Sequence, residues 1–242
     1  MAPPKHGPAA TRWTGALRRA AIPAALPVVE NAPAVPAGTV YLVRHGLVHN
    51  PARMMYGWLP RFRLADEGRA QAEATAEYLA RTAGDEIRLL LTSPLLRAIQ
   101  TARIIAARLP GVRTRRSDLL VESGLARYWQ GNYWHTLPER FPDEYKAWQA
   151  GAGALEIGEP MAAMARRMQA ALALALRLSG GSPAVCVSHR DPIAALRLAV
   201  EGRSFDELHT TACAPASITI VESDGSSLRI TGYIEPSAPS SS

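Results

Sequence analysis

A three-layer α/β/α sandwich, with a mostly parallel sheet and an antiparallel edge, is the fold this sequence predicts. Three observations predict it. Short apolar runs alternate with helix-length segments, the βαβ pattern that gives a parallel sheet covered by helices. Three of those runs end in polar turns: TVYLVR enters Arg44-His45-Gly46, IRLLL enters Thr92-Ser93-Pro94, and PAVCV enters Ser188-His189-Arg190. The last two runs flank Ser223-Asp224-Gly225, a hairpin signal.

The elements follow in order. Strand 39–44 comes first, and after a loop a helix runs from Asp66 to about Thr82, with Asp66 as its expected cap and Gly84 closing it. Strand 87–92 feeds a helix with Ser93 at the N-cap and Pro94 in the first helical position. That helix stops near Leu109-Pro110-Gly111, and strand 113–117 leads to Glu122. The segment 123–155 is less regular and carries Trp129, Tyr133, Trp134 and Trp148. A long Ala-rich helix spans about Pro160 to Leu178 and is expected to face the core. Strand 184–188 feeds a helix opened by Asp191 and Pro192, and strands 217–222 and 228–234 finish the domain.

The folded domain is therefore 38–235. Residues 1–37 are Ala- and Pro-rich without periodicity and read as a disordered extension, and 236–242 read as a disordered Ser/Pro tail. Arg18-Arg19 followed by AAIPAALPVV faintly resembles an export signal, but its two prolines and weak hydrophobicity argue against one.

In open α/β sheets, ligands bind beyond the carboxyl ends of the strands, so these separated turns can meet at one pocket. Such a pocket holds two imidazoles and at least two guanidiniums, chemistry suited to a phosphoryl group. A neutral imidazole at His45 can attack phosphorus and form a phosphoramidate. Gly46 lets backbone approach the phosphate, and Arg97 lies in the first turn of a helix, where its charge adds to the N-terminal dipole. His189 can donate to a phosphoryl oxygen. Fixed donors of this kind stabilise the transferring group.

The ordered set of motifs resembles the histidine phosphatase superfamily, the phosphoglycerate mutase-like group. Its parts are Arg44-His45-Gly46, then Ser93-Pro94-Leu95-Leu96-Arg97-Ala98-Ile99-Gln100-Thr101-Ala102, then Ser188-His189. Between them, Asn50-x-x-Arg53-x-x-x-Gly57 and Leu64-x-x-x-Gly68-x-x-Gln71-Ala72 also match, as does Gly158-Glu159-Pro160. The resemblance covers about 39 to 235. It implies that His45 is the nucleophile, that Arg44, Arg97 and His189 bind the phosphoryl group, and that Asn50 and Arg53 add contacts from their loop. It also implies that Glu122 protonates the leaving oxygen, a role a carboxyl can fill when its pKa is raised.

Some positions depart from that pattern. Leu47-Val48 follows the first motif in place of Glu-Thr, and Asn50 comes one residue early. Trp129-Gln130-Gly131 stands for Trp-Glu-Gly, one residue further from Glu122 than usual. Ala65 replaces a Thr before the first helix, and Arg190-Asp191-Pro192 replaces Gly-Gly after the second histidine. All core catalytic positions remain, while the departures fall where substrate choice is made.

Several residues have plainer readings. His49 is four residues from His45, but Gly46 after a strand argues against the helix a metal pair at that spacing needs. No metal site and no cofactor are expected. His6, His135 and His209 are expected to lie outside the chemistry, and Arg115-Arg116 reads as a solvated strand end. The aromatic group of 123–155 reads as packing under a lid, with contact to the leaving group as the alternative. Asp191 reads as a cap, with orientation of His189 as the alternative.

Bulk properties agree. The 242 residues are 48% hydrophobic, enough for one sizeable core. A net charge of +6 fits anionic partners, and without a dense Lys/Arg run or binding motif it does not indicate nucleic acid. The two cysteines, Cys186 and Cys213, lack metal spacing and fit a reducing, cytoplasmic compartment, with Cys186 as a small core residue. No apolar stretch is long enough to span a membrane. The expected partner is a small phosphorylated substrate, and nothing specifies an oligomeric state. The expected activity is cofactor-independent hydrolysis of a phosphomonoester. The rivals are a phosphoglycerate mutase, and a phospholigand-binding protein that uses the fold without turnover.

Overall fold

The computed structural model describes residues 34–151 and 157–236. Six strands form one sheet: β1 (Gly38–Arg44), β2 (Leu89–Thr92), β3 (Arg113–Arg116), β4 (Ala184–Ser188), β5 (Ile218–Ser223) and β6 (Leu228–Ile234). Their order is β3-β2-β4-β1-β5-β6. The first four strands in that order run parallel, whereas β5 and β6 are antiparallel, the edge expected from the hairpin signal. At the hairpin, Asp224 Oδ1 accepts from the backbone N–H groups of Ser226 and Ser227, both at 2.8 Å.

Seven α-helices are described: α1 (Asp66–Ala83), α2 (Leu96–Ala107), α3 (Gly124–Tyr128), α4 (Leu137–Arg140), α5 (Pro142–Ala150), α6 (Met161–Ser179) and α7 (Arg190–Glu201). Alternation along the strands explains the layering, because successive side chains point to opposite faces. Val40, Leu42, Leu89, Leu91 and Cys186 face α6 and α7, packing against Met168, Leu172, Leu176, Ile193 and Leu196. Tyr41, Val43, Leu90, Val185 and Val187 face α1 and α2, packing against Ala76, Leu79, Ala98, Ala102 and Ile105. The small residues of α6 let it lie close to the sheet, and Gly180 ends it at φ 67°, a left-handed cap that glycine accepts without strain.

Three expected caps differ. Helix α2 begins at Leu96 behind Leu95, not at Pro94 behind Ser93. The Ser93 hydroxyl is bonded to His189 Nε2 at 2.8 Å. Helix α7 begins at Arg190 with His189 at its N-cap, so Asp191 lies inside the first turn. Its carboxylate accepts from Ser123 Oγ at 3.2 Å and from Arg190 at 3.1 Å. Helix α1 has Ala65 at its N-cap, and Asp66 is its first residue. In the first two cases a side chain expected at a helix end serves the site.

The expected extension needs a shorter boundary. Val35 is buried in the core, and its carbonyl accepts from Ser223 Oγ at 2.8 Å. The rest of that expectation, residues 1–33, and the tail from 237 lie outside the described residues, as do 152–156. Among the described residues, no helix is long and apolar enough to cross a membrane.

Candidate active site

The centre of the site is set by sheet register. Strands β1 and β4 are neighbours, with Arg44 opposite Ser188, so His45 and His189 leave adjacent strands at the same level. Their rings meet edge to face with centroids 5.0 Å apart. Both histidines are buried.

The ring of His45 is oriented by its own loop. Its Nδ1 lies 2.8 Å from the Gly46 carbonyl. A carbonyl only accepts, so Nδ1 carries the proton and Nε2 carries the lone pair. That lone pair accepts from Arg97 Nε at 3.2 Å. Burial, then the charges of Arg97 and Arg44, hold the imidazole well below its ordinary pKa and keep it neutral. The turn itself is fixed by Gly46 N–H donating to Thr101 Oγ1 at 3.1 Å. A Cβ on Gly46 would collide with the Gly68 carbonyl oxygen, and one on Gly68 with the Leu47 carbonyl oxygen, so both glycines serve one close crossing of backbones.

Arg97 is 1% exposed, donates to the Gly57 carbonyl at 2.9 Å and stacks over Tyr56 at 4.7 Å. Arg44 donates to the Cys213 carbonyl at 2.6 Å, while its Nε is buried without a partner. His189 Nδ1 is likewise buried without a hydrogen-bond partner, 3.7 Å from Glu122 Oε2. An uncompensated buried polar atom is costly unless something occupies the space it faces. Two such atoms around one pocket mark a place for a polar ligand.

Glu122 closes the pocket. Its Oε1 accepts from Ser123 N–H at 2.9 Å, and its Oε2 lies 4.0 Å from Arg97 Nη2. The carboxyl is pushed up to about 7, first by burial and then by the nearby Asp191 carboxylate, against the pull of Arg97. Its backbone is held from several sides. Arg167 donates to the carbonyls of Leu119 at 2.7 Å and Val121 at 3.1 Å, and forms a bidentate pair with Glu159, both bonds 2.7 Å. Ser188 Oγ donates to the Leu120 carbonyl at 2.9 Å, and Trp58 Nε1 to the Glu122 carbonyl at 2.9 Å.

Of the seven residues expected to form the site, His45, Arg97, Glu122 and His189 converge, with Arg44 on the cleft wall. Asn50 and Arg53 line the cleft more peripherally. The Asn50 side chain exchanges hydrogen bonds with the Met54 backbone at 2.8 and 3.0 Å, shaping its loop. Arg53 is exposed, at φ 50°. Thr101, Tyr56 and Arg167 carry no role expected from sequence, and Ser93 and Asp191 were expected as helix caps. Ser93 and Thr101 lie within the second motif, which was the available signal, whereas Tyr56 and Arg167 carry none.

His45, Glu122 and His189 offer three ligand atoms within 4.8 Å of one another, a cluster that sequence spacing did not reveal. Arg97 donates into this cluster and Arg44 borders it, so the local field favours an anion over a metal cation. Two clefts meet here. One of 710 Å³ is bordered by His45, Asn50, Arg53 and His135. The other, of 420 Å³, is bordered by Glu122, Leu125, Trp129 and Trp148. Arg44, Tyr56 and Trp134 line both.

The profile described as "Histidine phosphatase superfamily (branch 1)" matches residues 40–235. "Uncharacterized protein Rv0525" of Mycobacterium tuberculosis (strain ATCC 25618 / H37Rv) is 37% identical over 201 residues, 82% of this chain and 96% of that protein. The solved structure of Bacillus stearothermophilus YhfR is similar with a TM-score of 0.71 at 25% identity, over 81% of this chain and 96% of that one. The mycobacterial glucosyl-3-phosphoglycerate phosphatase Rv2419c, solved with VO3, is similar with a TM-score of 0.67 at 26% identity, over 81% of this chain and 98% of that one.

Proposed function

Because the chain belongs to the histidine phosphatase superfamily (branch 1), we propose that it hydrolyses a small phosphomonoester through a phosphohistidine on His45, without a metal or cofactor. The observation that carries the proposal is the His45 tautomer: Nδ1–H is tied to Gly46 and the Nε2 lone pair faces the buried guanidinium of Arg97. A phosphoryl group beside Arg97 takes the place of Nε2 as that guanidinium's partner, which frees the lone pair for attack.

In the first step, Nε2 forms a bond to phosphorus and the ester P–O bond breaks. Its electron pair stays on the departing oxygen, which takes the proton of the Glu122 carboxyl. A carboxyl raised to about 7 is substantially protonated at neutral pH, as this step requires. In the second step, water attacks phosphorus, Glu122 takes a water proton, and the P–N bond breaks to return neutral His45 and phosphate. Arg44, Arg97 and His189 hold the equatorial oxygens throughout, and positioning with fixed charge does most of the work in phosphoryl transfer. Asn50 and Arg53 shape and border the entrance. The mycobacterial neighbour named as a glucosyl-3-phosphoglycerate phosphatase supports hydrolysis of a phosphate ester. A cytoplasmic location is part of the proposal, supported by two free, buried cysteines.

The test is phosphate release from an aryl phosphate in the presence of chelator, for the wild type and His45→Ala. Turnover that survives chelation and vanishes in the variant is the expected result. Equal turnover by His45→Ala would remove the nucleophile from the scheme. Phosphate transfer to a bound acid in preference to water would make the enzyme a mutase.

A further inference from the structure

We propose that the leaving group of the substrate is an uncharged apolar or aryl moiety seated in the 420 Å³ cleft beside Glu122. The inference rests on the phosphatase reading above and adds the chemical class of the alcohol.

Direction comes first. In-line displacement places the departing oxygen on the far side of phosphorus from His45 Nε2. Glu122 reaches that oxygen, and Glu122 lines the smaller cleft. The carbon skeleton attached to the oxygen therefore enters there.

Beside the charged groups Arg44, Glu122, Arg190 and Asp191, the greater part of the cleft's lining is apolar or aromatic. Met54, Met55 and Leu125 border it together with Trp129, Trp134 and Trp148. The indoles are locked into one aromatic body: Trp148 lies 5.8 Å from Trp129 and 5.9 Å from Trp134, centroid to centroid. Trp148 is closed off on another side by His209, at 4.3 Å. Trp134 remains 38% exposed, an aromatic face available to a ligand. Stacked and edge-to-face contacts with such walls favour an aryl or apolar group.

Arg190 and His209 of the cleft are already engaged within the fold. Arg190 pairs with Asp191 at 3.1 Å and donates to the carbonyls of Leu208 at 3.0 Å and His209 at 3.1 Å. His209 Nε2 is bonded to the Trp148 carbonyl at 2.7 Å, which spends its N–H. Arg44 lines both clefts; it donates to the Cys213 carbonyl, and the scheme above assigns its remaining donors to the phosphoryl group. Arg53 and His135 belong to the other cleft. Among the described residues lining this cleft, with Arg44 taken by the phosphoryl group, a carboxylate on the leaving group finds no second free guanidinium, and burying it unpaired is costly.

The experiment uses two non-hydrolysable phosphonates and the full chain, so its outcome is independent of turnover. Calorimetry compares 3-phenylpropylphosphonate with 3-phosphonopropionate in chelator. The chain's charge of +6 attracts the carboxylate compound more strongly at long range, so a preference for the phenyl compound must arise in the cleft. The expected result is at least tenfold tighter binding of the phenyl compound. Trp134→Ala should cut that preference to threefold or less, while Trp134→Phe retains most of it. Equal affinities, a preference for the carboxylate, or no binding of either compound overturns the inference. So does an unchanged ratio in Trp134→Ala. If His45→Ala proves as active as the wild type, the phosphatase scheme fails while the affinity ratio still decides the cleft.

Discussion

Arg167 offers the sharpest test of how the Glu122 carboxyl is held, because its contribution can be worked out bond by bond. The guanidinium is 2% exposed and makes four hydrogen bonds, two to Glu159 and one each to the carbonyls of Leu119 and Val121. Arg167→Ala leaves the Glu159 carboxylate without its partner at a side-chain exposure of 9%. Removing one member of a buried pair costs about 3–5 kcal/mol. For a domain of this size each kcal/mol lowers Tm by about 2–4 °C, so the expected fall is about 6–20 °C. Guanidinium titration at neutral pH, with an unchanged m-value, measures the free energy directly. The double variant Arg167→Met, Glu159→Leu should recover at least half of the loss, because an apolar pair leaves no stranded charge. A loss below about 1 kcal/mol, the range of an exposed pair, would refute the clamp. Where Arg167→Ala still folds, kcat should fall more than KM rises, because the segment 119–122 carries the carboxyl.

Other consequences are equally direct. With Glu122 near 7 and needed protonated in the first step, activity should decline as pH rises past about 7, and Glu122→Gln should lower kcat by about 10²–10⁴-fold and remove that limb of the profile. A pH profile that keeps the same limb in Glu122→Gln assigns it elsewhere. His45 and His189 have folded pKa values well below the ordinary 6.5, so the unfolded chain binds more protons below that pH. Their contribution is therefore complete above pH 6.5 and is lost on acidification, whereas Glu122, raised to about 7, gains stability over the same window; in the Glu122→Gln background, where that opposing term is absent, denaturant midpoints at pH 7.5, 6.5 and 5.5 should fall in that order, less steeply when His189→Gln is added. Gly46→Ala should cost about 1–3 kcal/mol by forcing apart the crossing with Gly68, and should abolish phosphate release even where the protein folds. Full activity in Gly46→Ala would mean that the crossing is not needed.

The elements whose sequences carry strong periodicity were legible to within a residue or two: β1, β4, α6 and the β5–β6 hairpin are examples. The N-caps of α2 and α7 were not. Ser93-Pro94 and Asp191-Pro192 have the chemistry of an N-cap, yet their side chains are bonded across the fold, Ser93 to His189 and Asp191 to Ser123. A local rule fails there because a tertiary partner competes for the same oxygen. The histidines and Arg97 were legible because each follows a strand within its motif. Arg167 was not, since one of two adjacent arginines on an Ala-rich helix reads as solvent-facing until Glu159 and the 119–121 carbonyls are seen around it. Glu122 reached the site despite the shifted spacing to Trp129, because it is held from behind by Arg167, Ser188 and Trp58.

The pairing of Arg44 with Ser188 has a further consequence. A slip of β1 against β4 by one residue would turn every side chain of the slipped strand to the opposite face and carry His45 away from His189. Such a molecule could keep much of its secondary structure, and circular dichroism would pass it as refolded. Catalysis would not. Recovered turnover after denaturation is thus an audit of strand registry at the middle of the sheet, made by the chemistry itself.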